Sequence, residues 1–361
     1  MKKILIIGLT NGVGGVETFI SNLNKYIQHD NIQISYLTHQ NINNKYLDDL
    51  FVGNSKIYKI KGIKENPFSY IKELFKFYKE NKYDVVHLNE CDATYFIYAL
   101  PVLFNKNIKL IVHSHNGDSQ HKILHKILAF IQNKRANVMW SCSDVAGKWM
   151  FHNEKYEIIH NGIDIETFKY DYQKNIDVRR EFKVSENKVI IGSIARFNEQ
   201  KNHKKIIDIF LEYHKRNNNS ILLLVGDGEE KNNIVEYVND NNLTDVVIFA
   251  GIRNDVPSLL SAFDLFLLPS LYEGLPFVCI ESQSCALPIL ASDTVSPEIK
   301  LSELVYFESL NSSNKKWADK VELIINHKSE REKFNSAKIM KNAGYDIREV
   351  CKKIKKEYIK D

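Results

Sequence analysis

Residues 188–196 read KVIIGSIAR and residues 220–228 read SILLLVGDG. Each is a short run of aliphatic residues that gives way to glycine or a charged residue, with a helical stretch between the two. A run apolar at nearly every position, not at alternate ones, suits a parallel strand buried on both faces. The pattern continues at VVIFAG (246–251), DLFLLPS (264–270) and LPILAS (287–292), again with helical stretches between. Towards the N-terminus an earlier array has the same form: KILIIGL (3–9), IQISYLT (32–38), DVVHLN (84–89), KLIVHSH (109–115), NVMWSCS (137–143) and YEIIHNG (156–162). HNGID (160–164) and the polar, poorly periodic stretch to about Asn187 lie between the arrays and read as a hinge. Two βα arrays joined in the middle predict an α/β protein of two doubly wound parallel sheets facing a cleft.

The totals agree with two domains. A chain of 361 residues exceeds one ordinary core, and 44% hydrophobic with 26% charged residues is a globular composition. The longest apolar run, YFIYALPVLF (95–104), is about half the ~20 residues of a spanning helix. MKKILIIGLT leads into a glycine-rich loop and an amphipathic helix (Val16, Phe19, Ile20, Leu23, Ile27), so it reads as a buried first strand and not a leader. The five cysteines form no CxxC pair, which argues against a disulfide framework or a zinc site and suits a reducing cytoplasm. Residues 1–165 hold 20 Lys+Arg against 15 Asp+Glu, and the rest of the chain holds 29 against 30. That excess is too small for a nucleic-acid binder, but it fits a first half that meets an anionic membrane or an anionic acceptor.

Four loops at strand ends carry the candidate chemistry, because ligands of open α/β sheets bind beyond the carboxyl ends of the strands. TNGVGGVE (10–17) is either a tight βα turn or an anion-binding loop. It is no dinucleotide fingerprint, since Glu17 stands where a third glycine belongs. In VHSHNGD (112–118), the alternation of strand side chains is read as turning His113 and His115 to different faces, which disfavours a two-histidine metal site and leaves His115 for the cleft. Arg196 and Lys201, in ARFNEQKNH (195–203), are two cations able to bind a diphosphate and neutralise its charge as it leaves, with no metal.

The fourth loop is LYEGLPFVCIE (271–281). Glu273 precedes a helix in which Pro276 is expected as the first residue, and N–H groups near Gly274 and Phe277 form an anion site. Glu281 lies roughly 7.5 Å further along the axis. Carboxylates so separated fit different hydroxyls of one extended ligand better than a shared proton.

His121 and His125 have the i,i+4 spacing of helical metal ligands, but HKILH lacks the glutamate of HExxH, and both read as the polar side of an amphipathic helix. That basic helix, and PFSYIKELFKFYKENK (67–82), could rest on a membrane or pack as ordinary surface helices. No Asp-x-Asp, GxSxG or Walker A pattern occurs.

Taken together, GVGGVE, HSHN, HNGID, Arg196-x4-Lys201, VGDG and the Glu273-x7-Glu281 pair resemble glycosyltransferase family 4 over essentially the whole chain, and most closely its bacterial capsular and exopolysaccharide branch. The resemblance implies the GT-B fold, two Rossmann-like domains (1–165 for the acceptor, 166–345 for the nucleotide sugar), with residues 346–361 crossing back to the first. It implies a retaining transferase that needs no cofactor beyond a nucleotide-sugar co-substrate, UDP-linked by family frequency. The acceptor would be a glycan, polyprenyl-linked at the cytoplasmic membrane face. Arg196 and Lys201 would clamp the diphosphate with N–H groups near Leu275 and Phe277, Glu281 would hold the ribose and Glu273 the transferred sugar. The base would lie near Gly226 and the backbone of Ile252 and Arg253. Gly14 and Gly15 would close over the diphosphate, and His115 would touch the sugar. A nucleotide-sugar 2-epimerase of the same fold and a non-catalytic assembly subunit are the rival readings.

Overall fold

In a computed structural model of the chain, all residues are described except 13, 64, 65, 328, 329 and 361. By its contacts the chain divides into two units, Met1–Ile163 with Gly344–Asp361, and Asp164–Ala343.

The first unit holds a seven-stranded sheet of β1 (Lys2–Ile7), β2 (Ile32–Thr38), β3 (Lys56–Lys59), β4 (Val85–Glu90), β5 (Lys109–Ser114), β6 (Val138–Ser141) and β7 (Glu157–Ile158). Its order is β3-β2-β1-β4-β5-β6-β7, with every pair parallel. Alternate residues of β1 serve two cores: Leu5 and Ile7 pack on one face with Val86, Leu88 and Leu110, and Ile4 and Ile6 pack on the other with Ile34, Tyr36 and Trp140. The second core is completed by the helix Ile347–Ile359, which contributes Ile347, Val350, Cys351, Ile354 and Tyr358. The returning chain is tied to the outgoing one, since the Ile163 N–H donates to Tyr345 O (2.8 Å) and the Ile347 N–H to Ile163 O (3.0 Å).

The second unit holds β8 (Val189–Ile194), β9 (Ser220–Val225), β10 (Val247–Gly251), β11 (Leu265–Leu268), β12 (Ile289–Ser292) and β13 (Val305–Glu308), in the order β10-β9-β8-β11-β12-β13, also parallel. Strand order therefore reverses beside β1 and β4 in one unit, and beside β8 and β11 in the other. These are the switch points at which a doubly wound sheet opens a crevice at its carboxyl edge.

Three local readings need correction. β3 and β13 were not expected: each is a four-residue strand closing an edge of its sheet, KIYK with a lysine at either end that guards against further pairing, and VYFE with three apolar residues before the buried Glu308. YEIIHNG is a strand only at Glu157–Ile158. The stretch read as an irregular hinge contains a helix, Tyr172–Glu181, whose buried residues are Val178 and Arg179. Arg179 has no apolar periodicity to announce it; it is held by Asp264 (3.1 Å) and by the carbonyls of Ser185 and Lys188.

Candidate active site

At the switch point of the second unit, backbone and amide bonds lace four loops together. The Leu271 N–H donates to Gln200 O (2.8 Å), Gln200 Nε2 to Tyr272 O (2.9 Å), and Asn202 Nδ2 to Pro269 O (3.1 Å), joining the loop after β8 to the loop after β11. The Gly226 N–H donates to Gly251 O and the Phe197 N–H to Asp227 O, which draws in the loops after β9 and β10. Gly226 has φ +134°, and a Cβ there would lie 2.0 Å from Ala195 O, so only glycine permits the approach.

This lacing sets Lys201 against Glu273 in a largely enclosed ion pair, with side chains 17% and 9% exposed. Arg196 is 70% exposed and pairs with Glu229 of the loop after β9 (3.0 Å). The helix that follows Glu273 runs Phe277–Ser284, with Pro276 at the N-cap (ψ 120°) and not at the first helical position expected for it. The extended ψ lets the Pro276 carbonyl accept the Cys279 N–H (3.0 Å) and leaves Pro276 itself outside the helix. Glu281 is thus the fifth helical residue. A Cβ on Gly274 would meet nothing within 4 Å, so the backbone at the helix start is open. Beyond β10, Ile252 is largely exposed, and the Arg253 guanidinium is held between Asp255 and Glu181. His203 stacks on Phe197 (4.1 Å), and burial beside Lys201 pulls its pKa down to about 4.

In the first unit the loops after β1, β4 and β5 converge. Gly14 is the extended N-cap of the helix Gly15–Tyr26, and Gly15 its first residue. Glu17 is buried, receives the Thr10 hydroxyl, and would lie 2.9 Å from a Cβ on Gly14. An anion at this helix start would share it with a carboxylate. His113 and His115 lie on the same face of β5, their ring centroids 4.2 Å apart, contrary to the expectation of different faces. Side chains alternate, so residues two apart share a face, and that expectation miscounted the period. With His87, stacked on His113 (5.6 Å), they form a column ending at the Tyr358 hydroxyl, 2.6 Å from His87 Nδ1. Burial drives all three pKa values down, that of His115 to about 3, so the column is neutral. The His115 Nε2–H donates to Asn89 Oδ1 (3.1 Å). Beside it, at the ends of β4 and β5, opens a polar cavity of about 530 Å³ lined by Cys91, Asp92, Asn116, Asp118, Ser119 and neighbouring residues. His121 occupies the N-cap position of the helix Lys122–Arg135 without a side-chain capping bond. His125 is not on a polar outer side but buried, accepting the Ala93 N–H (3.1 Å) and stacked on Trp149 (4.2 Å). Among the described residues no group of three or more His, Cys, Asp or Glu is placed to hold a metal.

Two family models match in series: Glycosyltransferase Family 4 over residues 13–167, and Glycosyl transferases group 1 over residues 175–340. The chain belongs to the glycosyltransferases. EpsF of Bacillus subtilis is 28% identical over 334 residues, 89% of this chain and 87% of its own. The UDP-Gal:alpha-D-GlcNAc-diphosphoundecaprenol alpha-1,3-galactosyltransferase of Escherichia coli is 28% identical over 61% of this chain and 60% of its own. The solved structure of Anabaena HepE in complex with UDP and glucose shares the fold, with a TM-score of 0.79 at 18% identity and 99% of each chain covered. The fold is GT-B. In this glycosyltransferase the second unit brings Arg196, Lys201, Gly226, Ile252, Arg253, Glu273, Gly274, Leu275, Phe277 and Glu281 to one carboxyl edge. Gly14, Gly15 and His115 stand at the corresponding edge of the first unit. Two partners of these residues were missed, Glu229 on Arg196 and Asn89 on His115, while Glu17 was in view only as a break in the glycine pattern. Asn89 had one available signal, as one of three polar residues, with His87 and Glu90, in a strand buried at every position.

Proposed function

We propose that this chain is a retaining, metal-independent transferase that moves a hexose or N-acetylhexosamine from a UDP-sugar to a glycan acceptor carried on a polyprenyl diphosphate. The setting is surface-polysaccharide synthesis at the inner face of the plasma membrane. The observation that carries the reading is the pairing of Lys201 with Glu273 at the switch point, beside an open helix start and within one loop of Arg196. UDP in the HepE complex and the lipid diphosphate named for the Escherichia coli relative support the choice of donor and acceptor.

The chemistry follows from charge. Lys201, Arg196 and the N–H groups near Gly274, Leu275 and Phe277 stabilise the diphosphate as the anomeric C–O bond breaks. Two cations supply what a metal otherwise would. Glu273 receives hydroxyls of the transferred sugar and Glu281 those of the ribose, while the base lies against Gly226 and the backbone of Ile252 and Arg253. The acceptor oxygen bonds to the anomeric carbon on the face the diphosphate leaves, and its proton passes to a diphosphate oxygen. Configuration is retained without a protein nucleophile. In the absence of donor, Lys201 and Glu273 neutralise each other, and the donor separates them by giving Lys201 a phosphate and Glu273 a hydroxyl. The polar cavity beside Asp92 and Asn116 is the place in the first unit for the acceptor's sugar.

A panel of nucleotide sugars, read by thermal shift and slow hydrolysis, identifies the donor. With that donor, Lys201→Ala is expected to lower kcat/KM by about 10²–10³-fold, and Arg196→Ala similarly, by analogy with lost oxyanion donors. Unchanged turnover in both variants overturns the clamp, and epimerised sugar nucleotide formed without acceptor overturns the transferase.

A further inference from the structure

Glu17 stands in the first turn of the helix Gly15–Tyr26, where the helix start stabilises its negative charge. The residue is nonetheless 6% exposed. Among the described residues one hydrogen-bond donor reaches its carboxylate, the Thr10 hydroxyl on Oε1, and no lysine or arginine pairs with it. Thr10 is itself fixed by the Gly12 N–H (3.1 Å). The second oxygen lies beside Gly14, 2.9 Å from the place of a Cβ on that glycine, and a Cβ on Gly12 would lie 3.9 Å from the first. The two glycines leave empty the space that side chains would fill over the carboxylate. Two carboxylate oxygens accept up to about four hydrogen bonds, so a buried one with a single donor is short of partners.

Chemistry narrows what the partner is. A metal ion lacks ligands here, since no group of three or more His, Cys, Asp or Glu is placed to hold one among the described residues. A phosphate or a second carboxylate would meet a buried like charge. Uncharged donors remain, and the hydroxyls of a sugar are such donors.

The neighbourhood points the same way. Cys91 lines the polar cavity of the first unit, and its thiol is pushed up to about 11, foremost by burial and next by the charge of Glu17. The carboxylate and the cavity therefore share one wall. Within the cavity both Asp92 oxygens are already occupied, one by the Thr94 N–H (2.9 Å) and hydroxyl, the other by the Ser119 hydroxyl. The one lysine of the lining, Lys122, is paired with Asp118 (3.2 Å). The histidine column is neutral. Nothing at this edge is built to receive an anionic sugar, and Glu17 is the carboxylate with capacity to spare.

We propose that Glu17 is an acceptor-binding residue: in the opening over Gly12 and Gly14 it receives a hydroxyl of the acceptor's terminal sugar, and its charge restricts that sugar to an uncharged hexose or N-acetylhexosamine, excluding a uronic acid. The inference rests on the transferase of the proposed function, which supplies an acceptor to be bound. The attacking hydroxyl passes its proton to the diphosphate, so Glu17 holds a different hydroxyl and sets the orientation of the sugar. This role differs from the closure over a diphosphate that the resemblance implies for Gly14 and Gly15.

Saturation-transfer NMR on the full chain, without nucleotide, compares the methyl glycosides of glucose, galactose, N-acetylglucosamine and N-acetylgalactosamine with methyl glucuronide at neutral pH. At least one neutral glycoside should bind, with the glucuronide at least about tenfold weaker through like-charge repulsion. Glu17→Gln keeps the shape and removes the charge. It should weaken the neutral glycoside about fivefold and bring the glucuronide level with it. Thr10→Val keeps the charge and removes its anchor, so it should weaken the neutral glycoside while preserving rejection of the glucuronide, and it reports on the site if the glutamine variant does not fold. UDP affinity, read by calorimetry, should change by less than about twofold in Glu17→Gln. Silence of every neutral glycoside, equal binding of methyl glucuronide by the wild type, or an unchanged preference in Glu17→Gln overturns the proposal. So does UDP bound tenfold tighter by Glu17→Gln, which would set the carboxylate against the diphosphate. Glycoside binding that depends on Glu17 with no binding of UDP counts against the proposed UDP-sugar transferase alone.

Discussion

Two glycines show how single residues set the distance between strand ends. Gly8, just after β1, has φ +138°, and a Cβ there would lie 2.4 Å from Asn89 O; Gly226, just after β9, stands likewise against Ala195 O. Alanine at 226 faces both a disfavoured φ and a backbone clash, so Gly226→Ala should cost about 2–4 kcal/mol or push the β8 and β9 loops apart. Thermal melts with and without UDP check this, and the variant should lose most of the UDP-induced shift. The sequence put forward Arg196, Lys201 and Glu273 because charged residues just beyond apolar strands are conspicuous, and Glu281 through its spacing from Glu273. Their pairing was not legible, since Lys201 meets Glu273 only through hydrogen bonds between loops far apart in the chain. The histidine column was misread through its period, although the residues were in view.

Among elements, strands apolar throughout were legible, the edge strand β10 included, whereas the edge strands β3 and β13, only four residues each, were not. Capping was also out of reach. Arg331 lies outside the apolar strand and helix patterns, yet its guanidinium is buried. It donates to the carbonyls of Leu260, Ser261 and Phe263 around the end of the helix Val256–Ala262, and to Cys285 O after the helix Phe277–Ser284. It also lies over the Tyr170 ring (4.4 Å). One cation thus serves two helix C-termini, where positive charge is favoured. Arg331→Met leaves several of those carbonyls unpaired and should destabilise the second unit by about 3–5 kcal/mol, read as a lower urea midpoint at unchanged slope.

At the scale of the molecule, the alternation of strands and helices was enough to read two doubly wound sheets. The orientation of Lys122–Arg135, which buries His125, was not, because its sequence shows an apolar side without showing which way it turns. Both units carry histidines that are neutral when folded: His87, His113 and His115 in the first, His203 in the second. Each has a folded pKa below its unfolded value of 6.5, so the unfolded chain binds more protons in acid. Stability is full above pH 6.5 and falls as the pH drops towards 4 and 3, by up to about 1.4 kcal/mol per pH unit for each histidine. Melting temperatures at pH 7.5, 5.5 and 4.5 should decline in that order, and His203→Phe should flatten the decline of the second unit.

The return of Ile347–Ile359 to the first unit has a consequence for how the protein is made. A ribosome releases this helix only after the intervening 180 residues, Asp164–Ala343, have been synthesised. At typical elongation rates that is roughly 10–40 s. Throughout it, Ile4, Ile34 and Tyr36 lack the helix that covers them, and His87 lacks Tyr358. The second unit is one continuous segment and can complete its core as it emerges. The half synthesised first therefore matures last, and during translation its uncovered sheet is the surface a chaperone would hold.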